Sequence, residues 1–129
     1  MGKLKLLVVD DEEGIVGMIK RAYLEKGFDT FGALDGITAV DLFEKERPEI
    51  TIIDVHMPFS KIDGIETLKR IKKIDKDALC LMVTRIDDKA KINAAKELGA
   101  LHYIPKPLSM DELDAGVNEA VDLIEKGRK

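Results

Sequence analysis

The chain has 129 residues, of which 45% are hydrophobic and 36% are charged. This length and composition are typical of one folded globular domain and exclude a disordered chain. The formal net charge of −4 argues against direct binding of nucleic acid by this domain, because a nucleic-acid-binding face needs a basic patch.

The N-terminal segment shows no sign of a membrane anchor. No apolar run approaches the roughly 20 residues that a helix needs to cross a bilayer. The first apolar run ends at Asp10 and Asp11, where a signal peptide would need small residues for cleavage. We therefore expect a cytoplasmic protein without membrane association. The single cysteine, Cys80, lies in an apolar run and is expected to be a buried thiol.

One pattern recurs along the chain: a short apolar run, a turn signal and then an amphipathic helix. The runs at 50–54 and 79–84 are nearly continuous rather than alternating, which is typical of strands buried on both faces of a parallel sheet. The predicted strands are Leu4–Asp10, Phe28–Phe31, Ile50–Asp54, Leu79–Thr84 and Leu101–Ile104.

Apolar residues at helical spacing follow each predicted strand. Gly27 and Gly99 are placed to end the first and fourth helices, the second must stop before Pro48, and Ser109 and Glu112 form a capping box for the fifth. The sequence therefore predicts a doubly wound α/β domain over residues 1–129, with a five-stranded parallel sheet and five helices. The apolar helix positions are Ile15, Met18, Ile19, Ala22 and Tyr23, then Ile37, Val40 and Phe43, then Ile65, Leu68 and Ile71, then Ala90, Ala94, Ala95 and Leu98, and finally Leu113, Val117, Ala120 and Ile124.

Polar residues stand at the carboxyl ends of four predicted strands. Asp10 and Asp11 end the first, Asp54 ends the third, Thr84 ends the fourth and Lys106 follows the fifth. Each alone is explained by a turn, a helix cap or a surface position. Together they would line one edge of the sheet, which is where open α/β sheets bind ligands. The coincidence favours a functional site.

Motifs at these positions match a known family. The segments are Val8–Glu12, Ile53–Pro58, Met82–Thr84, Gly99–Ala100 and Tyr103–Pro107. They resemble the CheY-like receiver domains of response regulators in bacterial two-component signalling, and the resemblance covers essentially the whole chain. It implies the flavodoxin-like strand order 2-1-3-4-5, in which the first and third strands are neighbours.

The resemblance also implies a metal site. With the first and third strands adjacent, Asp10, Asp11 and Asp54 would share one pocket. Clustered carboxylates repel one another and either raise a pKa or recruit a cation, and an all-oxygen site suits Mg²⁺. By resemblance, Asp11 and Asp54 bind Mg²⁺ directly together with the backbone carbonyl of His56, while Asp10 acts mainly through water.

By the same resemblance, Asp54 is the phosphoacceptor of a signalling switch that is not an enzyme acting on other molecules. Lys106 supplies positive charge to the phosphoryl oxygens, and Thr84 donates a hydrogen bond to one of them. Movement of Thr84 makes room for the Tyr103 ring to turn inward. Without the resemblance, Tyr103 would be interpreted as an amphipathic residue at the sheet edge with its ring half buried. The family pattern also implies a cis Lys106–Pro107 peptide.

The implied partners are proteins. A sensor histidine kinase or a histidine phosphotransfer protein would supply the phosphoryl group. The face formed by the fourth helix, fifth strand and fifth helix would then control a downstream partner or an output domain.

Three positions depart from the family pattern. Arg85 stands where a small residue is usual, and we expect its guanidinium either to lie in solvent or to pair with Asp87 or Asp88. The loop at 58–64 is two residues longer than usual, which changes the rim of the pocket. His56 lies two residues after the acceptor, at a position that in the family tunes the lifetime of the phosphoryl group.

Three other functions are compatible with parts of the sequence pattern. A dinucleotide-binding domain would need a glycine-rich first turn, whereas Asp10–Gly14 is acidic and would repel a pyrophosphate. A phosphatase of the haloacid-dehalogenase type would need a second aspartate where His56 stands. A pseudo-receiver, which keeps the fold and is never phosphorylated, is disfavoured by the acidic residues, Thr84 and Lys106, but Arg85 leaves it open.

Overall fold

A computed structural model describes residues 3–85 and 87–127 of the chain. In this part of the chain strands and helices alternate, as predicted. The strands are β1 (Lys5–Val9), β2 (Asp29–Ala33), β3 (Ile50–Asp54), β4 (Leu79–Thr84) and β5 (His102–Pro105). The helices are α1 (Glu13–Glu25), α2 (Gly36–Glu46), α3 (Gly64–Ile74), α4 (Lys89–Glu97) and α5 (Met110–Gly127).

The strands form one parallel sheet in the order β2-β1-β3-β4-β5. The predicted fold and strand order are therefore confirmed. The register places Val9 opposite Ile53, so the residues that follow β1 meet the last residue of β3. This juxtaposition positions the candidate site.

Helices cover both faces of the sheet and create two cores. On one face α2, α3 and α4 contribute Phe43, Leu68 and Ala95 to a buried cluster. On the other, Ile19 of α1 and Val117 of α5 belong to a second cluster. Every residue of β3 is buried, which explains its nearly continuous apolar run. No helix among the described residues is long and apolar enough to span a membrane.

Cys80 is fully buried in the first core, as expected. Burial raises the pKa of its thiol to about 12, because the ionised form would lose its hydration. The thiol is therefore a packing group.

Two predicted helix faces were partly wrong. In α1 the buried residues are Val16, Ile19 and Tyr23, whereas Met18 is exposed. In α2 the chain buries Ala39 rather than Ile37. Successive residues of an α-helix differ by about 100° around its axis. An exposed hydrophobic residue next to the buried positions therefore rotates the face that is predicted from the sequence away from the face that is buried.

The predicted helix ends agree better with the structure. Gly27 and Gly99 both have positive φ angles, which glycine adopts at helix C-termini without strain. Helix α2 ends before Pro48. At the start of α5 the Glu112 N–H donates to Ser109 Oγ over 3.4 Å, which is the first half of the predicted capping box.

Candidate functional site

Three carboxylates meet at the carboxyl edge of the sheet. Carboxylate oxygens of Asp10, Asp11 and Asp54 all lie within 4.8 Å of one another. The cause is topological, because β1 and β3 are neighbours and both end at this edge. The structure thus brings together the three acids that the family resemblance predicted in one pocket.

Two of these carboxylates are deeply buried. Asp10 is 7% exposed and Asp54 is 3% exposed. Burial raises the pKa of Asp10 to about 6, although its Oδ1 accepts a hydrogen bond from the Glu12 N–H at 2.9 Å. Burial also raises the pKa of Asp54, against the opposing effect of Lys106. Perturbed carboxyl pKa values of this kind concentrate at functional sites.

Lys106 supplies the cation at this edge. Its Nζ lies 3.1 Å from Asp54 Oδ2 and 3.0 Å from Asp54 Oδ1. The backbone N–H of Lys106 donates to the Thr84 carbonyl at 2.8 Å, which fixes the start of the β5–α5 loop. The Lys106–Pro107 peptide is cis, as predicted.

The two predicted switch residues lie further from the acids. The Thr84 hydroxyl is buried, and its one hydrogen bond within residues 3–85 and 87–127 is long, 3.4 Å to the Arg85 carbonyl. Tyr103 is half-buried on β5 and packs against the first core. Burial raises the pKa of its phenol. Thr84 is the last residue of β4, the strand next to the acceptor strand, whereas Tyr103 lies on β5, two strands away from the acceptor.

Arg85 lies at the mouth of the site with its side chain 64% exposed. Its Nε is 3.7 Å from Asp87 Oδ1, a loose ion pair that agrees with the expectation from sequence. A cleft of about 520 Å³ opens here beside Asp11. Its lining includes Asp11, His56, Phe59, Asp63, Arg85 and Lys91.

The longer β3–α3 loop is held by specific hydrogen bonds. The Phe59 N–H donates to Asp11 Oδ2 at 3.2 Å. The Ser60 hydroxyl accepts from the Gly36 N–H at 2.9 Å and donates to the Ile62 carbonyl at 2.6 Å. The added length is therefore tied to α2 and to the acidic site, while the Phe59 ring is exposed at the rim.

Sequence reasoning missed two contacts that join this loop to α4. Lys91 Nζ donates to Asp63 Oδ2 at 2.8 Å, and this ion pair lowers the pKa of Asp63 in spite of partial burial. His56 Nε2 lies 3.0 Å from Asp88 Oδ2 without hydrogen-bond alignment. Asp63 and Asp88 are the N-caps of α3 and α4, which was the only signal available in the sequence.

The donor set fits a hard divalent cation. Three carboxylates face one ammonium group, so the site carries excess negative charge when the acids are ionised. Oxygen ligands with room for water are the ligands that Mg²⁺ prefers. The residues present are thus suited to bind Mg²⁺.

Comparison with known proteins gives a consistent result. A family model for the response regulator receiver domain matches residues 6–118. The sporulation initiation phosphotransferase F of Bacillus subtilis is 37% identical over 119 residues, covering 92% of this chain and 94% of that protein. The alkaline phosphatase synthesis transcriptional regulatory protein PhoP of the same species is 38% identical over 113 residues, covering 88% of this chain but only 46% of that protein. The chain spans about half or less of several other curated relatives.

Solved structures agree. The receiver domain of the Francisella response regulator 1452 is 33% identical with a TM-score of 0.82, covering 95% of this chain and 99% of that one. A CheY-like receiver domain protein from Methanospirillum hungatei JF-1 has a TM-score of 0.90 at 24% identity, covering 98% and 99% of the two chains. At that identity the likeness speaks for the fold alone.

Proposed function

The chain belongs to the response regulator receiver family, and on that premise we propose that it is a phosphoryl-accepting signalling switch with Asp54 as the acceptor. In this proposal one receiver domain occupies residues 1–129. The observation that carries the proposal is the convergence of three carboxylates on one lysine, with Lys106 Nζ in contact with both oxygens of Asp54.

The proposed metal ligands are Asp10, Asp11, Asp54 and the backbone carbonyl of His56. A bound Mg²⁺ would neutralise the repulsion between these acids and an incoming phosphoryl group. The geometry in support is the separation of at most 4.8 Å among the three carboxylates. Asp10 is the natural outer ligand, since its Oδ1 already accepts a hydrogen bond from Glu12.

The proposed reaction is transfer of a phosphoryl group from a phosphohistidine of a sensor histidine kinase or histidine phosphotransfer protein. An oxygen of the Asp54 carboxylate attacks phosphorus, the P–N bond breaks, and the departing imidazole nitrogen keeps the electron pair and takes a proton from solvent. Lys106 then exchanges its contact with the carboxylate for one with a phosphoryl oxygen. Thr84, whose hydroxyl makes only a long contact in this state, donates to a second oxygen.

The proposed output is a change in the face formed by α4, β5 and α5. Rotation of Thr84 toward the phosphoryl group empties space beside Tyr103, whose ring turns inward. A downstream protein or an output domain reads that face. We propose that the switch is cytoplasmic, as is typical of the family, and that it acts on proteins and not on a membrane. The net charge of −4 supports a domain that does not itself bind nucleic acid.

The test uses acetyl phosphate and Mg²⁺ with intact-mass measurement. We expect the mass of one phosphoryl group on the unsubstituted chain and none on Asp54→Asn. Asp11→Asn should first weaken metal binding, measured as a smaller rise of the unfolding temperature with Mg²⁺. Asp41→Asn, which changes an exposed acid on α2, is the matched control. An unchanged mass shift in Asp54→Asn would contradict the assignment.

A pseudo-receiver is the second candidate, and Arg85 is the observation that favours it. A long cation at the mouth of the site stands where the family usually has a small residue. The same experiment separates the two functions. A folded chain that binds Mg²⁺ and gains no phosphoryl mass from acetyl phosphate would be a pseudo-receiver.

A further inference from the structure

A second cavity lies beneath the acidic trio, on the face of the sheet covered by α1 and α5. Its volume is about 150 Å³, and it adjoins the cleft that opens past Arg85 and Phe59, with which it shares Glu12 and Lys106. Its walls are formed chiefly by Val8, Ile15, Ile19, Ile52, Val83 and Leu108. Asp54 and Lys106 border one end of it, but the proposed phosphoryl transfer makes no use of the apolar walls.

The walls are apolar and come largely from well-packed elements. Val8, Ile19, Ile52 and Val83 are all buried and belong to the second core. A cavity of roughly this volume with Leu, Ile and Phe walls holds a single benzene ring. The dimensions therefore suit a flat apolar group of about six heavy atoms.

The upper end of the cavity is acidic. Asp10, Glu12 and Asp54 border it together with Lys106. Lys106 is engaged by Asp54 at 3.0 Å, whereas Asp10 forms no ion pair with any residue the structure describes. Asp10 Oδ1 is held by the Glu12 N–H, but Oδ2 receives no hydrogen bond within residues 3–85 and 87–127. Asp10 is among the residues that border the cavity, so this oxygen is available to a donor on a ligand.

We propose that this cavity binds a small organic cation whose flat apolar body lies between α1 and the β5–α5 loop and whose charged N–H groups donate to Asp10. An arylamidine is the simplest member of this class. A neutral hydrocarbon would leave the Asp10 carboxylate without a donor, and an anion would be repelled by the acids. A hydrated metal ion would gain no binding energy from contact with the apolar walls.

The ligand and Mg²⁺ would then oppose each other, because both use Asp10. By linkage, each lowers the affinity for the other by the same factor. This competition rests on the metal site of the proposed function, whereas binding of the organic cation does not. An experiment can therefore contradict the competition with Mg²⁺ without contradicting the binding of the organic cation.

The test is titration of the ¹⁵N-labelled full chain, free of metal, with benzamidine. We expect saturable shifts of the Val8, Ile15 and Val83 amides, and contacts from the ring protons to the Ile52 and Val83 methyl groups. Benzamide, which has the same shape without the charge, should bind about tenfold more weakly or worse. Added Mg²⁺ should raise the apparent dissociation constant of benzamidine.

Leu108→Trp should fill the cavity and abolish the shifts, and Leu24→Trp, at an exposed leucine of α1, is the matched control. The ring-to-methyl contacts decide the question if Leu108→Trp does not fold.

Equal binding of benzamide, or shifts confined to exposed acids, would overturn the proposal. Binding without competition by Mg²⁺ would overturn only the shared use of Asp10. Absence of phosphorylation on Asp54 would leave the cavity assignment unaffected.

Discussion

Asp10 is an ionisable group that the fold holds away from water and next to other acids. Its pKa is raised from 3.8 to about 6, first by burial and then by the charge of Asp54. A carboxyl group with a raised folded-state pKa prefers to be protonated in the native state. When ionised it destabilises the fold above pH 6, and this effect is lost as the pH falls from about 6 toward 3.8. Since one pKa unit corresponds to roughly 1.4 kcal/mol, the destabilisation at pH 7 is on the order of 3 kcal/mol.

Asp10→Asn should therefore stabilise the metal-free protein. We expect the free energy of unfolding to rise by about 1–3 kcal/mol at pH 7, because the amide keeps an acceptor for the Glu12 N–H and removes the buried charge. The gain should vanish near pH 4. Urea unfolding in EDTA, followed by circular dichroism, measures both values. Asp41→Asn is the control, and a loss of stability in Asp10→Asn at pH 7 would show that the buried carboxylate stabilises the fold.

Arg85 is the second residue whose role can be isolated. It stands at the mouth of the site and pairs only loosely with Asp87, so its guanidinium is free to cross the opening. We expect Arg85→Ala to speed both phosphorylation by acetyl phosphate and hydrolysis of the aspartyl phosphate, with Asp54 still the acceptor. Intact-mass time courses give both rates. Arg21→Ala, on the exposed side of α1, should change neither. Unchanged rates in Arg85→Ala would identify it as a bystander in solvent.

Among the elements, α3 is the one that touches the acceptor strand most closely. The Gly64 N–H donates to the Val55 carbonyl at 3.1 Å. A Cβ at Gly64 would lie 2.2 Å from the Asp54 carbonyl oxygen and 2.6 Å from Val55 Cα. Neither backbone atom can move without shifting the acceptor. The first residue of α3 is therefore glycine because of this close approach, and its φ is not the reason.

Gly64→Ala should consequently destabilise the fold by about 1–3 kcal/mol or more and slow phosphorylation by acetyl phosphate. Gly17→Ala is a matched control, because a Cβ there meets nothing within 4 Å. That change should stabilise the protein by about 1 kcal/mol through helix propensity. Thermal unfolding and phosphorylation rates measure the contrast. A Gly64→Ala protein as stable as the parent would mean that α3 can retreat from the acceptor strand.

The same elements show what periodicity predicts and what it does not. The positions of strands and helices could be predicted from the spacing of apolar residues, because the burial of each element is reflected in its own short segment of sequence. The faces of α1 and α2 were displaced at Met18 and Ile37, since rotation of a helix is set by the surface it meets. The contact of Lys91 with Asp63 joins two segments whose approach depends on the whole fold. The helix-capping position of Asp63 is the only local signal, and it does not identify Lys91 as the partner.

The residues of the candidate site were likewise predictable only in part. Asp10, Asp54 and Lys106 were predicted because strand ends of a parallel sheet converge, and convergence needs only topology. Thr84 was placed at the same edge by its position at a strand end, whereas its role as a switch and the role of Tyr103 came from the family resemblance. The cavity below Asp10 could not be predicted, because its volume is what remains after side chains from five segments have packed.

At the scale of the molecule, the first and last helices are joined far from the site. The Tyr23 hydroxyl donates to Asp114 Oδ1 at 2.5 Å, and Lys26 Nζ lies 3.1 Å from Asp114 Oδ2. The Tyr23 and Phe28 rings meet edge to face with centroids 5.6 Å apart. These contacts hold α1 against α5 on the face opposite to α2, α3 and α4. None of these contacts involves α4, so a change at α4 need not break them.

The neighbouring positions of β1 and β3 also have a consequence for how the chain folds. Their pairing places Val9 opposite Ile53, and one strand and two helices lie between them in the sequence. The chain must therefore close a long loop before the two central strands can pair. That closure brings Asp10 against Asp54, whereas Lys106 arrives only with the C-terminal part of the chain. If β1 and β3 pair in the transition state, mutual repulsion of the acids slows the rate-limiting step. We then expect Asp10→Asn to refold faster than the parent in stopped-flow experiments at pH 7, and equal rates would place the pairing after the barrier. The charge arrangement proposed for signalling would thus set a kinetic barrier that each newly made chain must cross.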